Sequence, residues 1–136
     1  MHFDFVDREL ERSPNHIRTV KLVTRSEEYL QDHFATFPVL PGVFMLESLV
    51  QAASRLVQDR AGAQRLVLGG VRSLKYGRFV RPGDALVVTV ELAKELGECS
   101  WEFKGQGLRV ESGAGAAVDP DAVAVSGRFV LRTLRA

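Results

Sequence analysis

The stretch GVFMLESLVQAASRLVQD, residues 42–59, carries the helical pattern on which the predicted fold depends. At about 100° per residue its apolar side chains gather on one wide face, and the polar side chains gather on the other side. The apolar face comprises Met45, Leu46, Leu49, Val50, Ala52, Ala53, Leu56 and Val57, and the polar side comprises Glu47, Ser48, Gln51, Ser54, Arg55 and Gln58. The pattern predicts a helix of about 18 residues, roughly 27 Å long, that ends near Gly62.

The segments on both sides of this helix alternate as β-strands do. Two strands are predicted before it, one around Phe3, Phe5 and Leu10 and one at residues 17–23, joined by a turn at residues 13–15. After the helix come four more, in RLVLGGVRSL (65–74), ALVVTVELAKEL (85–96), CSWEFKGQGLRV (99–110) and AVAVSGRFVLRTL (122–134), with a long loop at 111–121. Because a sheet with one apolar face needs a second layer, this order predicts an α+β fold in which an antiparallel sheet covers one long helix.

The composition limits the class of protein. A chain of 136 residues fits one domain over residues 1–136, and 46% hydrophobic and 26% charged residues are ordinary globular values. A net charge of +1 argues against nucleic-acid binding, and the single Cys99 allows neither an internal disulfide nor a cysteine zinc site. With no signal-peptide core at the start and no run long enough to span a membrane, we expect a cytoplasmic protein without a metal or cofactor.

Two titratable side chains flank a stiff apolar segment, HFATFPVLPGVFMLE, where fourteen positions separate His33 from Glu47. The first helical turn, residues 43–46, is apolar on every side, so this end of the helix is expected to be buried. A carboxyl group one turn later is costly there unless it is paired or kept neutral.

A plainer interpretation exists for each of these two residues. Glu47 could open a solvated stripe with Gln51 and Arg55, which follow at four-residue steps. His33 could be a half-buried histidine beside Phe34 whose ring is bonded to the backbone. Neither interpretation explains the proline-rich segment between them.

Residues 33–51, with HF, FPVLPGV and LESLVQ, resemble the active-site signature of 3-hydroxyacyl-(acyl carrier protein) dehydratases of the FabZ type, which have the hot-dog fold. The resemblance continues in FDFVDRELE, which is similar to the first strand of the family, in VTRSEEYLQDHF before the histidine, and in the basic-aromatic stretch KYGRFVRPGD. Asp32 and Ala35 depart from the glycine and proline that the family usually has at these positions.

The resemblance implies an antiparallel sheet wrapped around a central helix, in a homodimer with a continuous sheet, and leaves a trimer of dimers open. It also implies active sites shared between subunits, in which His33 comes from one chain and Glu47 from the other. Neutral His33 would take the C2 proton of a 3-hydroxyacyl thioester, and protonated Glu47 would give a proton to the departing 3-hydroxyl.

The helix start supplies further expected site residues. Free backbone N–H groups of Gly42 and Val43 would stabilise negative charge on the thioester oxygen. Gln51 would orient the carboxyl group of Glu47, or would be an ordinary surface glutamine.

In this family the acyl chain hangs from the phosphopantetheine arm of an acidic acyl carrier protein. Lys75, Arg78 and Arg81 would bind that protein and its phosphate, although an ordinary solvated strand edge is the alternative. Tyr76 and Phe79 would line a substrate tunnel or fill the core.

Two other functions share the expected fold. One is a hot-dog thioesterase, in which Glu47 or Asp32 activates water against the same thioester. The other is a non-catalytic acyl-chain binding subunit that keeps the tunnel.

Overall fold

The computed structural model describes residues 4–23, 40–62, 64–97, 99–111 and 122–134. Its elements, in chain order, are β1 (Arg8–Ser13), β2 (His16–Leu22), α1 (Gly42–Ala61), β3 (Leu66–Tyr76), β4 (Ala85–Glu95), β5 (Ser100–Val110) and β6 (Val123–Thr133). Several predictions lie outside the described residues, namely His33 with its neighbours Asp32 and Ala35, and most of the loop at 111–121.

The six strands form one antiparallel sheet in the order β1-β2-β4-β5-β6-β3, and α1 packs on one of its faces. This confirms the predicted α+β architecture, in which an antiparallel sheet covers a long helix. In the described part of the chain, no helix combines the length and the hydropathy that crossing a membrane requires.

Helix α1 begins at Gly42, as predicted, and continues two residues beyond the predicted end to Ala61. Gly62 then ends it with a φ of 65°, a conformation that glycine adopts without strain. The assignment of Ser48 to the polar side was wrong, because this residue is fully buried. Its Oγ donates a hydrogen bond to the carbonyl of Phe44 at 3.0 Å, so the hydroxyl needs no contact with water.

The first strand begins later than predicted. Phe5 and Val6 are buried, but they precede β1, which starts at Arg8. Their N–H groups donate to side-chain oxygens, at 2.7 Å to Gln51 Oε1 and at 3.0 Å to Asp4 Oδ1, rather than to a neighbouring strand. The segment therefore lies over the helix, where the Phe5 ring stacks on Phe44 with 5.2 Å between the ring centroids.

Glycine allows α1 to approach the middle of the sheet closely. A Cβ atom at Gly105 of β5 would lie 3.0 Å from Cε1 of Phe129 and 3.3 Å from Cδ1 of Leu49 on the helix. Because these are tighter than ordinary contacts, a side chain at position 105 would push the helix away from the sheet.

We predict that Gly105→Val lowers the free energy of unfolding by about 1–3 kcal/mol, because the added isopropyl group overpacks this contact. Gly70→Val is the matched control, since nothing lies within 4 Å of a Cβ at that strand position. Urea unfolding of both variants measures the difference, and equal stability of the two would show that the helix is not held by this contact.

Candidate functional site

A pocket of about 430 Å³ lies where α1 begins. The helix and its lead-in form one wall, and the end of β3 with the following segment forms the other. Its lining residues are Leu40, Pro41, Gly42, Val43, Met45, Tyr76, Gly77, Arg78, Phe79 and Ala124. Of these, only Arg78 carries a charge, so the pocket suits an apolar group attached to an anionic one.

Backbone hydrogen bonds join the two walls to each other and the second wall to β6. The N–H of Leu40 donates to the carbonyl of Val80 at 2.7 Å, and the N–H of Arg78 donates to the carbonyl of Val123 at 2.9 Å. Gly77 directly precedes Arg78, and a glycine is required there because a Cβ would lie 2.3 Å from the carbonyl oxygen of Val123. The backbone that carries Arg78 can therefore lie against β6 only with glycine at position 77.

The ring of Tyr76 lies directly over Gly42, where a Cβ would meet ring atoms at 3.0 to 3.4 Å. Tyr76 is 51% exposed and Phe79 is 56% exposed, and both line the pocket. Of the two alternatives expected for these aromatic residues, the structure therefore favours a pocket wall over the core.

The helix start has two backbone donors beside this pocket that no described residue accepts. The N–H groups of Phe44 and Met45 both donate to the carbonyl of Pro41, at 3.0 and 3.2 Å. Those of Gly42 and Val43 donate to none of the described residues. Since the amino end of a helix is also partially positive, this arrangement can bind an oxygen that carries negative charge.

Glu47 is half-buried and lies one helical turn after Val43, on the same side of α1. Its Oε1 accepts a hydrogen bond from Nε2 of Gln51 at 3.3 Å, and no other polar contact to its carboxyl group occurs among the residues described. Gln51 is half-buried as well, and its Oε1 accepts the N–H of Phe5. Gln51 is thus a connecting residue rather than an ordinary surface glutamine.

The proposed solvated stripe does not extend along the helix. Arg55 is exposed, and its Nη1 lies 4.0 Å from Oε2 of Glu9 in β1. The backbone carbonyl of Arg55 accepts a hydrogen bond from the guanidinium of Arg12. Arg55 therefore associates with the first hairpin, whereas Glu47 is bonded to Gln51.

The three candidate docking cations do not share one surface depression. Arg78 lines the pocket, whereas Lys75 lines a different depression of about 200 Å³ together with Lys104 and Arg128. Because the side chains of successive strand residues point to opposite faces of the sheet, Lys75 lines one depression and its neighbour Tyr76 lines the other. Arg81 is exposed in a turn in which its N–H donates to Asp84 at 3.0 Å.

No group of three metal-ligating side chains occurs within the parts of the chain that are described. Of the site residues expected from the sequence, the structure brings together four, all on α1: Gly42, Val43, Glu47 and Gln51. Sequence reasoning missed Phe5, whose contribution is a backbone N–H that no side-chain pattern marks.

Comparison with known families decides the relationship of this chain. The family model called ApeI-like, described as ApeI dehydratase, matches residues 9–114. The chain belongs to this dehydratase family.

A 3-hydroxyacyl-[acyl-carrier-protein] dehydratase FabZ of Levilactobacillus brevis is 42% identical over 94 residues, which are 67% of this chain and 64% of the relative. The FabZ of Oenococcus oeni is 45% identical over 92 residues, 65% of this chain and 66% of the relative. The aligned part thus spans slightly less than two thirds of either relative.

Solved structures agree on the fold. The dehydratase heterocomplex ApeI:P from Xenorhabdus doucetiae superposes with a TM-score of 0.71 and 20% identity, over 97% of this chain and 84% of that one. A hypothetical thioesterase with coenzyme A from Streptococcus pneumoniae has a TM-score of 0.66 and 12% identity, over 93% and 84%. At these identities the likeness shows architecture alone, and it confirms the expected hot-dog fold.

We predict that Gly77→Ala disrupts the pocket wall, because the new methyl group would collide with the backbone carbonyl of Val123. The hydrogen bond from Arg78 should break, and the amide hydrogen of Arg78 should lose its protection against exchange. Gly69→Ala is the control, since its Cβ would make only ordinary contacts at 3.5 Å or more. Unchanged exchange at Arg78 in the Gly77 variant would show that the wall adapts without losing this bond.

Proposed function

We propose that this protein removes water from 3-hydroxyacyl thioesters carried by acyl carrier protein and forms trans-2-enoyl thioesters in the cytoplasm. One observation carries the proposal. In a chain of the dehydratase family, two backbone donors that no described residue accepts lie at an apolar pocket, and a carboxyl group lies one turn further along the same helix.

The proposed reaction begins with transfer of the C2 proton to neutral His33. The electron pair of the C2–H bond is first delocalised onto the thioester oxygen and then forms the C2=C3 double bond as the C3–O bond breaks, with the C3–O pair leaving on the hydroxyl oxygen. Glu47 gives its proton to the departing hydroxyl, which leaves as water, since hydroxide alone is a poor leaving group. Return of a proton from His33 to Glu47 then restores both groups.

The thioester oxygen gains negative charge when the C2 proton leaves. We place this oxygen at the N–H groups of Gly42 and Val43, where two donors and the helix dipole stabilise it beside the ring of Tyr76. The acyl chain would then occupy the apolar pocket.

The carrier protein would approach from the side of Arg78 and Arg81, whose cationic groups complement an acidic helix and a phosphate. Arg78 borders the pocket, so it is the cation best placed for the phosphopantetheine arm. Lys75, which lines another depression, would contribute only to long-range attraction.

We further propose a homodimer formed along β3. This strand has eleven residues, pairs with β6 and with no other described strand, and is largely exposed, including Leu68 and Val71 at 39% each. A long open edge of this kind is suited to pairing with a second chain. The family resemblance implies that the active sites of such a dimer combine His33 of the partner subunit with Glu47.

An assay with a 3-hydroxyacyl carrier-protein thioester tests the function directly. Mass spectrometry of the acyl group distinguishes three outcomes. Loss of one water supports the dehydratase, release of a free carrier thiol supports a thioesterase, and an unchanged thioester supports a binding role.

We predict that His33→Ala and Glu47→Gln each reduce the rate of water loss by about 10²–10⁴-fold, because each removes a proton-transfer group. His16→Ala is the control for the histidine, since His16 pairs with Glu11 in the first hairpin and does not line the pocket. Glu95→Gln, at an exposed strand end, is the control for the glutamate. Normal turnover in either site variant, with the fold intact by circular dichroism, would contradict the assigned roles.

We also predict that mixing the two inactive variants restores activity. In a mixed dimer, one site combines both defects and the other has His33 and Glu47 intact. Random exchange of subunits makes half of the dimers mixed, so about a quarter of the wild-type activity should return. Should the mixture stay inactive although mass spectrometry detects mixed dimers, each site would belong to a single chain.

A further inference from the structure

The side-chain amide of Gln51 lies between two groups from distant parts of the chain. Its Oε1 accepts the backbone N–H of Phe5 at 2.7 Å, and its Nε2 donates to Oε1 of Glu47 at 3.3 Å. A backbone N–H can only donate, so the end of the amide that faces Phe5 must be the oxygen. The NH₂ end consequently faces Glu47, and the amide cannot turn over without losing both bonds.

The N–H of Phe5 is itself held in place. The Phe5 side chain is 1% exposed and its ring stacks on Phe44, within the first turn of α1. Two residues later, Asp7 donates its N–H to Val20 at 2.9 Å and accepts the N–H of Leu22 at 2.6 Å. The donor is therefore anchored by the helix on one side and by β2 on the other.

We infer that Phe5 is a positioning residue whose backbone N–H, acting through Gln51, orients the carboxyl group of Glu47 for proton transfer. The inference rests on the proposed function insofar as Glu47 is the acid. Oε1 of Glu47 accepts a hydrogen bond and therefore points its lone pair at Gln51, whereas Oε2 has no partner among the described residues. The transferable proton then belongs on Oε2, and the direction in which it leaves is set by residue 5.

An amide-to-ester replacement isolates this N–H. Phenyllactic acid in place of Phe5 keeps the ring and removes only the hydrogen that Gln51 accepts. We expect kcat to fall about tenfold with KM within about twofold, because the substrate still binds while the acid is misaligned. The matched control is the same ester replacement at Val6, whose N–H donates to Asp4 and not to the site, and its kcat should stay within about twofold of wild type.

Gln51→Glu provides a second test without an ester. Its carboxylate can still accept the N–H of Phe5, but it has no hydrogen to donate to Glu47. We expect kcat to fall by at least tenfold while the thermal unfolding midpoint stays close to that of the wild type. Wild-type kcat in both the residue 5 ester and Gln51→Glu would overturn the inference and leave the dehydratase assignment intact.

A readout that needs no turnover separates the inference from the proposed function. The ¹⁵N–¹H cross-peaks of the Gln51 side chain should shift on Glu47→Ala in the all-amide chain and shift much less in the chain with the ester at residue 5. An equal shift in both chains would mean that Phe5 does not orient the amide, and would overturn the inference. If the wild type forms no enoyl product, the proposed function fails, and these cross-peaks still decide whether Phe5 controls the orientation of Gln51 toward Glu47.

Discussion

The close contact between α1 and β5 is the constraint on which the rest of the structure depends. Leu49 of the helix fits against a position of the sheet that has no side chain, Gly105, so the helix axis lies nearer to the strands than an ordinary residue would permit. Leu49 lies near the middle of α1, so its contact with Gly105 sets the distance between the helix and the sheet. The amino end of the helix then lies beside the end of β3. There the ring of Tyr76 meets Gly42, and the pocket forms between them.

At the amino end of α1, several residues lower the stability of the fold and at the same time shape a binding site. Two large aromatic side chains, Tyr76 and Phe79, remain about half exposed instead of joining the core. A side chain at Gly77 would collide with the backbone, and one at Gly42 would crowd the ring of Tyr76. Glycine loses more conformational freedom on folding than other residues, so its use at both walls disfavours folding. Local departures of this kind are typical of functional sites, and here they concentrate on one pocket.

The period of the apolar residues was sufficient to predict the start of α1, its stop at Gly62 and the number of strands, because these signals are local. Features that depend on contacts between distant residues were not predictable in this way. Ser48 is buried because its own helix satisfies its hydroxyl, and the first strand begins at Arg8 because the preceding N–H groups bond to side chains. Likewise, the pattern left open whether Gln51 is an ordinary surface glutamine, and only its contact with Phe5, 46 residues away in sequence, shows that it is not.

The part of the site that the sequence did not reveal is the backbone N–H of Phe5, whereas the N–H groups of Gly42 and Val43 were expected from the position of the helix start. Every residue except proline carries such a donor, so no side-chain motif marks the N–H of Phe5. Packing gives these three donors their direction: the start of the helix orients those of Gly42 and Val43, and the stack on Phe44 orients that of Phe5. The motif residues therefore indicate which chemistry is possible, whereas the alignment of that chemistry follows from how the chain packs around the first turn of α1. A substitution that leaves every titratable group in place can accordingly impair such a site, provided that it moves this turn.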